Sequence, residues 1–305
     1  MRFLAIGECM AELAPSDQDG NYKLGFAGDT FNTAWYLARC APQIDVSFLT
    51  VVGNDSISNK LRDCLLAGGI SDRFVGTSND KTVGLYLISL DAGERSFSYW
   101  RGQSAARMLA DDEERMFAAL VEADMIYFSG ITLAILDPDR RTALIEALKV
   151  ARASGRVVAF DPNLRPSLWR SGAEMVEAVM EGAAVSDLVL PSFEDEAVWF
   201  GDADPKATAK RYLSAGAITV IVKNGAGPIY YAEPATSGNV PVQPVDVLVD
   251  STAAGDSFNA GIFAQHAACE SITAGISFAC ALSRQVIQQK GALVPVSPAI
   301  HESRP

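Results

Sequence analysis

Apolar runs and amphipathic stretches alternate along most of the chain. The apolar runs have the length and composition of buried strands, and they lie at Phe3–Gly7, Val46–Val52, Met125–Ser129, Val157–Asp161, Leu188–Pro191 and Ile218–Lys223. Stretches with helical periodicity lie between them, at Asp29–Cys40, Ser56–Ala67, Pro138–Ser154 and Ala173–Ala184. Apolar strands that alternate with helices are typical of a parallel sheet covered on both faces. The pattern therefore predicts an α/β fold with a mostly parallel central sheet.

Two segments interrupt this alternation. Residues 9–26 are short and rich in turn residues, whereas 82–100 contain two runs with a period of two, Val83–Leu90 and Arg95–Trp100. A turn at Asp91-Ala92-Gly93 joins these two runs, which predicts a hairpin. A hairpin inserted into an α/β chain suggests a small antiparallel lid. Because no linker or repeat is visible, we expect one domain over residues 1–305, with a lid formed by about 9–26 and 82–101.

Composition narrows the classes of partner. The formal charge of −12 and a pI near 4.7 argue against nucleic acid or an anionic membrane as partner. An anionic substrate would need locally placed Arg or Lys. No apolar run reaches the roughly 18 residues of a transmembrane helix, and no signal-peptide pattern is present. We therefore expect a cytoplasmic protein.

Cysteine and histidine supply little chemistry. Five dispersed cysteines form no CxxC pair and no metal-binding spacing, which suits a reducing compartment. The two histidines, His266 and His301, argue against a His-rich metal site and against a Ser-His-Asp triad. Carboxylates, backbone groups and arginines must therefore carry the chemistry.

The strongest candidate for chemistry lies at residues 250–258. A strand-like run, Val245–Val249, leads into it, and a helical pattern follows. Small residues at the turn, Ala253, Ala254 and Gly255, would leave the first N–H groups of that helix open to an anion. Asp256 beside such an anion hole suits removal of a proton from an alcohol during phosphoryl transfer. The alternative is a helix capped by Ser251 or Thr252, in which Asp256 only complements the helix dipole.

These residues carry a family resemblance. The stretch Asp-x-Thr-x-Ala-Gly-Asp-Ser-Phe closely resembles the C-terminal signature of the ribokinase-like (PfkB) carbohydrate kinases. The resemblance implies that Asp256 is the catalytic base and that Ala253, Ala254 and Gly255 form the anion hole. It also implies a three-layer α/β/α sandwich with a β lid over the sugar, and ATP and Mg²⁺ as cofactors.

A second stretch lies at residues 25–32. Gly28 permits close approach, and Asp29 and Asn32, about one turn apart, could hold neighbouring hydroxyls. The alternative is an ordinary helix N-cap. This place resembles the N-terminal signature of the family, which implies that Gly28, Asp29 and Asn32 contact the substrate.

Two further turns follow predicted strands. The turn after Ile218–Lys223 resembles a glycine turn beside ATP, which implies Lys223, Gly225 and Gly227 as ATP contacts, unless it is a simple β-turn. Residues 191–196 resemble the family's Asn-x-x-Glu motif in the altered form Ser-x-x-Asp. That alignment implies Ser192 at ATP and Asp195 at Mg²⁺, with Glu196 beside it. The alternative is an acidic first turn of a helix.

A final group of residues bears on the substrate. Asp161-Pro162-Asn163-Leu164-Arg165 resembles a family stretch next to substrate and phosphate. Four residues resemble the substrate set of one subgroup, the 2-keto-3-deoxygluconate kinases: Tyr86, Tyr99, Arg101 and Arg165. The resemblance implies phosphorylation of a sugar acid, namely of 2-keto-3-deoxygluconate to its 6-phosphate.

Other functions remain open on the sequence. A fructokinase or ribokinase would take a neutral sugar, and a non-catalytic sugar-binding regulator would use the same fold. A dinucleotide-binding oxidoreductase would need Gly-x-Gly-x-x-Gly after the first strand, where this chain has Glu8-Cys9-Met10. Unpaired strand edges of the lid suggest a homodimer formed through it.

Overall fold

Strands and helices alternate through the computed structural model, which describes residues 1–16, 18, 20–91, 94–245 and 247–297. The strands are β1 (Arg2–Ile6), β2 (Met10–Pro15), β3 (Tyr22–Ala27), β4 (Asp45–Val52), β5 (Ile70–Ser71), β6 (Val75–Thr77), β7 (Leu85–Asp91), β8 (Glu94–Trp100), β9 (Met125–Ser129), β10 (Val157–Asp161), β11 (Leu188–Val189), β12 (Thr219–Val222), β13 (Ile229–Ala232) and β14 (Ser237–Val240).

The helices cover much of the remaining chain. They are α1 (Asp29–Cys40), α2 (Ser56–Ala67), α3 (Glu113–Glu122), α4 (Gly130–Ile135), α5 (Pro138–Ala153), α6 (Gly172–Ala184), α7 (Phe193–Phe200), α8 (Pro205–Ala215), α9 (Ala254–Ala267) and α10 (Ile272–Ile287). Across the described ranges, no helix is both long enough and apolar enough to cross a membrane.

The central sheet has ten strands. Its order is β14-β13-β12-β11-β10-β9-β1-β4-β5, with β6 also paired to β4. The pairings from β12 to β5 are parallel, and only β13 and β14 run antiparallel to their neighbours. All six predicted strands are present with small shifts at their ends, so the predicted mostly parallel sheet is confirmed.

Helices cover both faces of this sheet. Along β1, Phe3 and Ala5 join the core that includes α1, α2, α9 and α10, whereas Leu4 and Ile6 join the core that includes α3, α5, α6 and α8. Successive side chains of a strand point to opposite faces, so a continuous apolar run serves two cores. The architecture is therefore the three-layer α/β/α sandwich.

A separate four-stranded sheet has the order β3-β2-β7-β8. It consists of two antiparallel hairpins, β2–β3 and β7–β8, joined by parallel pairing of β2 with β7. Residues 9–26, predicted as turn-rich, thus contain two strands that pair with each other. Strand β2 also pairs with β7, about 75 residues away, and this contact leaves no local signal. The predicted turn at 91–93 lies partly outside the described residues.

The predicted strand Val245–Val249 is wrong. Val245 and residues 247–249 are irregular, with Val247 and Leu248 61% and 62% exposed, and residue 246 lies outside the described ranges. The N–H groups of Val249 and Asp250 donate to the carbonyl of Ile287 at the end of α10. A β-branched run favours a strand only where a sheet edge can pair with it, and here a helix end takes its hydrogen bonds.

Candidate active site

The carboxyl ends of the parallel strands and the small sheet enclose a cavity of about 860 Å³. Ligands in open α/β sheets commonly bind at this edge. Twelve of the predicted site residues line the cavity: Gly28, Asp29, Asn32, Tyr86, Tyr99, Arg101, Arg165, Ser192, Asp195, Lys223, Gly255 and Asp256. Residues spread over more than 200 positions of sequence therefore meet in one place.

Helix α9 begins at this cavity without a side-chain cap. Ala253 is its N-cap residue, and no side chain accepts a hydrogen bond there. The hydroxyl of Thr252 instead donates to Asp250 Oδ1 at 2.6 Å. The alternative of a helix capped by Ser251 or Thr252 is therefore wrong, and the first turn of α9 retains the uncapped form that an anion hole needs.

Gly255 leaves space in front of this turn. A Cβ placed on Gly255 would lie 3.5 Å from Nζ of Lys223. The cavity lining includes Gly255 but neither Ala253 nor Ala254, whose contribution would come through the backbone. An anion at this position would meet a helix N-terminus on one side and an ammonium group on the other.

Asp256 is buried beside this space, with 8% of its surface exposed. Nδ2 of Asn32 donates to its Oδ2 at 2.7 Å, and Oδ1 of Asn32 accepts from the N–H of Gly28 at 3.3 Å. Burial raises the pKa of Asp256 well above its usual range, the charge of Asp29 raises it further, and the bond from Asn32 opposes the rise. Asp256 is thus a fixed carboxylate with an increased affinity for a proton.

Asp29 has its own amide partner. Nδ2 of Asn163 donates to Asp29 Oδ2 at 2.8 Å, and the N–H of Asn163 donates to Asp161 Oδ1 at 3.1 Å. Asn163 has φ 35°, a left-handed conformation that Asn adopts more readily than most residues. The Asp-Pro-Asn turn therefore brings Asn163 across to α1.

Lys223 belongs to a buried polar network. Its Nζ donates to Asp161 Oδ2 at 2.7 Å and to Asn259 Oδ1 at 3.4 Å, and Asn259 Nδ2 donates to the same Asp161 oxygen at 2.6 Å. Sequence reasoning missed Asn259. Its spacing of three residues from Asp256, on the same helix, was the available signal.

The small sheet contributes aromatic rings and a buried ion pair. Tyr86 and Tyr99 have ring centroids 5.8 Å apart, and the hydroxyl of Tyr86 donates to Glu12. Arg101 pairs with Glu8, whose side chain is 1% exposed. Sequence reasoning missed Glu8 and Glu12, whose partners Arg101 and Tyr86 lie 93 and 74 residues away.

The two predicted substrate arginines differ in environment. Arg101 is 12% exposed at its side chain and neutralised by Glu8, whereas Arg165 is 51% exposed and lies 4.0 Å from Asp195. The guanidinium of Arg165 is therefore more available to a substrate than that of Arg101. The two arginines, which the sequence placed in one substrate set, differ in how far their charge is already paired.

Gly225 and Gly227 occupy the turn between β12 and β13, outside the residues that line the cavity. Gly225 has φ 54°, and the N–H of Gly227 donates to the carbonyl of Asn224 at 2.7 Å. The simple β-turn accounts for both glycines. Of the predicted ATP contacts in this stretch, only Lys223 reaches the cavity.

The acidic turn at the start of α7 divides into two roles. Glu196 is fully buried and accepts hydrogen bonds from Arg211 and from the hydroxyl of Tyr212, so it is committed to the core. Asp195 lines the cavity, and burial raises its pKa against the opposing charge of Arg165. Within the described ranges, no three His, Cys, Asp or Glu side chains cluster as a metal site.

The pfkB family carbohydrate kinase model matches residues 2–299. The chain belongs to this family. The resemblance carried by residues 250–258 is thereby confirmed, and the dinucleotide-binding oxidoreductase is excluded. The buried carboxylate of Asp256 at the uncapped start of α9 is compatible with membership of a family of kinases.

Two relatives of this family member carry the same name. A 2-dehydro-3-deoxygluconokinase of Dickeya dadantii is 36% identical over 304 residues, which cover 95% of this chain and 96% of the relative. A 2-dehydro-3-deoxygluconokinase of Haemophilus influenzae is 36% identical over 296 residues, covering 95% and 94%.

Solved structures support the same fold. A PfkB protein from Polaromonas has a TM-score of 0.88 at 27% identity and covers 99% of both chains. A fructokinase from Xylella fastidiosa with bound ATP has a TM-score of 0.82 at 26% identity, covering 95% of this chain and 93% of its own. This pfkB member therefore shares its architecture with proteins of the same family over nearly its whole length.

Proposed function

We propose that the protein is an ATP-dependent kinase for a sugar acid, 2-keto-3-deoxygluconate (2-dehydro-3-deoxygluconate), which it converts to the 6-phosphate. The observation that carries this proposal is the buried carboxylate of Asp256 at the uncapped start of α9. The relatives named 2-dehydro-3-deoxygluconokinase support the choice of substrate.

Asp256 acts as the base. The sugar hydroxyl oxygen forms a bond to the γ-phosphorus of ATP, the bond from that phosphorus to the leaving oxygen breaks, and ADP departs. The hydroxyl proton passes to Asp256. Because an alcohol is a far weaker acid than a carboxylic acid, and the transition state is loose, the proton moves late in the reaction.

The nucleotide phosphates bind at the start of α9. Backbone groups of Ala253, Ala254 and Gly255 form the anion hole, where the helix N-terminus stabilises negative charge. Ser192 lies at the end of β11 and pairs with Lys223 across a parallel bridge, so both reach the same edge of the cavity.

Asp195, an acidic residue on the same side of the cavity as Ser192, is a suitable ligand for Mg²⁺. The ion keeps several waters and binds through one or two carboxylates together with substrate phosphates, so a cage of three acids is unnecessary. Asp195 is a cavity-lining carboxylate that fits this mode, whereas Glu196 is committed to Arg211. Bound with ATP, the metal would neutralise charge on the phosphates.

The substrate carboxylate binds Arg165. Its guanidinium is half exposed at the cavity. It lies 4.0 Å from the carboxylate of Asp195, a long contact that a substrate carboxylate can replace. A guanidinium fork matches a carboxylate in two hydrogen bonds. Asp29, held by Asn163, would accept from a sugar hydroxyl, and Tyr86 and Tyr99 would form a wall of the pocket.

The small sheet forms a lid over the sugar, so that residues 1–305 work as one domain with an attached cover. Its outer strands β3 and β8 have unpaired edges, and Tyr22 and Trp100 are 48% and 59% exposed. Exposed aromatic groups beside unpaired strand edges favour association with a second copy. We therefore include a homodimer through the lid in the proposal.

A fructokinase is the second candidate. Pairing of Arg101 with Glu8 leaves less positive charge in the cavity than two free arginines would supply. A relative named fructokinase from Vibrio alginolyticus is 27% identical over 295 residues, covering 94% of this chain and 93% of its own. Neutral sugars therefore belong in the test.

The test is ADP release with ATP and a panel of sugars: 2-keto-3-deoxygluconate, gluconate, fructose and ribose. We expect the highest kcat/KM for 2-keto-3-deoxygluconate, with the phosphate at C6 in the NMR spectrum of the product. A higher kcat/KM for fructose would establish the fructokinase instead. Sugar binding without ATP turnover on any member of the panel would indicate the non-catalytic regulator.

A further inference from the structure

The ammonium group of Lys223 lies where the anion hole opens. Nζ is 3.5 Å from the position of a Cβ on Gly255, which places it directly across from the first turn of α9. The Lys223 side chain is 11% exposed and lines the same cavity as Asp256. An ion pair of Lys223 that served only to stabilise the core would not need to line the cavity in front of Gly255.

The backbone of Lys223 is fixed at both of its polar groups. Its N–H donates to the carbonyl of Pro191 at 2.8 Å, and its carbonyl accepts from the N–H of Phe193 at 2.8 Å. These bonds tie the end of β12 to the segment that leads from β11 into α7. The root of the side chain therefore has little freedom.

The side chain is also oriented. Asp161 accepts the ammonium at 2.7 Å, and Asn259, which is fully buried, offers a second oxygen at 3.4 Å. Asn259 Nδ2 in turn donates to Asp161 at 2.6 Å and to the hydroxyl of Tyr127 at 3.2 Å. Two of the three ammonium donors are directed by this network, and the third remains for a ligand.

The carboxylates that line the cavity explain why a cation is needed at the position of Lys223. Four carboxylates line it, those of Asp29, Asp161, Asp195 and Asp256. A phosphoryl group that approaches Asp256 brings further negative charge into a partly buried space. Lys223 is the cation that lies beside Gly255, and preorganised charges at such a position strongly stabilise a transition state.

We propose that Lys223 is a catalytic residue whose ammonium contacts a non-bridging oxygen of the transferred phosphoryl group, and that Asp161 and Asn259 are the residues that position it. This inference rests on the proposed kinase reaction but not on the identity of the sugar. Lys223 remains protonated throughout, and the proton of the sugar hydroxyl still goes to Asp256. The ammonium stabilises the negative charge on the phosphoryl group while that group passes from ADP to the sugar oxygen.

The first test compares Lys223→Met with Lys223→Arg on the sugar that the wild type phosphorylates best. Loss of one preorganised donor lowers kcat by about 10²–10³. We expect this loss in Lys223→Met with little change in KM for the sugar, and partial activity in Lys223→Arg. Lys210→Met, at an exposed position of α8, is the control and should match the wild type.

Lys223→Met also leaves Asp161 buried without its cation, which by itself destabilises the fold. The double variant Lys223→Met/Asp161→Asn removes both charges and keeps an acceptor for Asn259. We expect its Tm to recover toward the wild type while kcat stays low. Recovery of kcat to within about tenfold of the wild type would overturn the catalytic role and leave Lys223 a structural residue.

A double-mutant cycle with Lys223 tests the role of Asn259. Asn259→Ala should lower kcat about tenfold, the effect of losing one hydrogen bond to a charged group, in the protein that retains Lys223. It should have no further effect on kcat in Lys223→Met, because the group that it positions is gone. Equal effects in both backgrounds would refute positioning through Lys223.

Binding gives a readout apart from turnover. ADP with tetrafluoroaluminate and the same sugar mimics the planar phosphoryl group, and ADP alone does not. Calorimetry should show weaker binding of the mimic to Lys223→Met, with nearly unchanged binding of ADP. Equal losses for both would place the contact on the nucleotide rather than on the transferred group. Failure of the proposed substrate would appear separately, in the wild-type sugar panel.

Discussion

The side-chain amide of Asn32 donates a 2.7 Å hydrogen bond to Asp256, and both residues are buried. Asn32 lies in the first turn of α1 and Asp256 in the first turn of α9, and the contact spans 224 residues. The family resemblance implied that Asn32 binds the substrate. Its amide already holds Oδ2 of Asp256, and we expect this contact to orient the carboxylate so that Oδ1 of Asp256 faces another partner.

Asn32→Ala should move the acidic limb of the kcat/KM profile to higher pH. The bond from Asn32 favours ionised Asp256, and its loss raises the pKa of that carboxyl further. The base is active only when ionised, so activity at low pH falls first. The measurement is kcat/KM for ATP and sugar across pH, with Asn59→Ala, at an exposed position, as control. An unmoved limb with a raised KM for the sugar would restore the substrate-binding role.

Asp256→Asn should abolish nearly all turnover while nucleotide binding persists. Loss of a general base costs roughly 10²–10⁴ in rate. The amide is nearly isosteric and can still accept from Asn32, so the fold should be retained. Stopped assays for turnover and calorimetry for ATP check the two expectations, with the exposed Asp63→Asn as the matched change. More than about a tenth of wild-type turnover would require another base.

Gly255→Val should block the anion hole. Even a Cβ at this position would lie 3.5 Å from Lys223 Nζ, and a branched side chain would occupy the space for phosphate. We expect kcat to fall by about 10²–10³, the effect of losing one such donor. Gly275→Ala, where a Cβ would meet only Gln265 at 3.4 Å, is the control for glycine replacement in a helix. Near-normal kinetics in a folded Gly255→Val protein would place the phosphate elsewhere.

Arg165→Ala should discriminate between acidic and neutral sugars. A hydrogen bond to a charged group contributes about 1.5–3 kcal/mol, so kcat/KM for 2-keto-3-deoxygluconate should fall at least about tenfold. Residual fructose activity should change little. Arg101→Ala should also reduce activity on the acid but should lower Tm, because it strands the buried Glu8. Equal losses on both sugars in Arg165→Ala would refute the carboxylate contact.

Substitutions at Asp195 and at Glu196 should have different effects, the first on metal binding and the second on stability. Asp195→Asn should raise the Mg²⁺ concentration for half-maximal activity by at least about tenfold, because even the loss of a residue that only orients a metal ligand has an effect of that size. Its Tm should be nearly unchanged. Glu196→Ala should instead lower Tm, because Arg211 and the hydroxyl of Tyr212 both lose a buried partner, although Arg211 keeps its ion pair with Asp202. Activity against Mg²⁺ and thermal unfolding distinguish the two. A raised Mg²⁺ requirement in Glu196→Ala alone would reverse the assignment.

Local periodicity determined much of the fold. The runs at Met125–Ser129 and Val157–Asp161 became strands with those bounds, and Asp29–Cys40 became a helix with the predicted ends. In each case the apolar pattern of the segment agrees with its burial. The motif at 250–258 likewise located the uncapped start of α9 and the buried carboxylate of Asp256, because both depend on residues adjacent in sequence.

Val245–Val249 shows where local pattern fails. The apolar side chains of residues 247–249 are exposed. The N–H groups of Val249 and Asp250 donate to the carbonyl of Ile287 rather than to a strand of a sheet. Residues 9–26 show the reverse, since their turn-rich sequence forms β2 and β3, and β2 gains a second partner in the distant strand β7. Strand formation depends on a partner that the segment itself does not encode.

The sequence by itself determined the fold class and the family, and it singled out Asp256 as the candidate base. The tertiary structure decided which side chains are already engaged: Arg101 with Glu8 across 93 residues, Lys223 with Asp161 across 62, and Glu196 with Arg211 across 15. Backbone propensity and hydrophobic periodicity act over a few residues and can be read locally. Charge pairing depends on distances of a few ångström between distant segments, which only the packed chain defines.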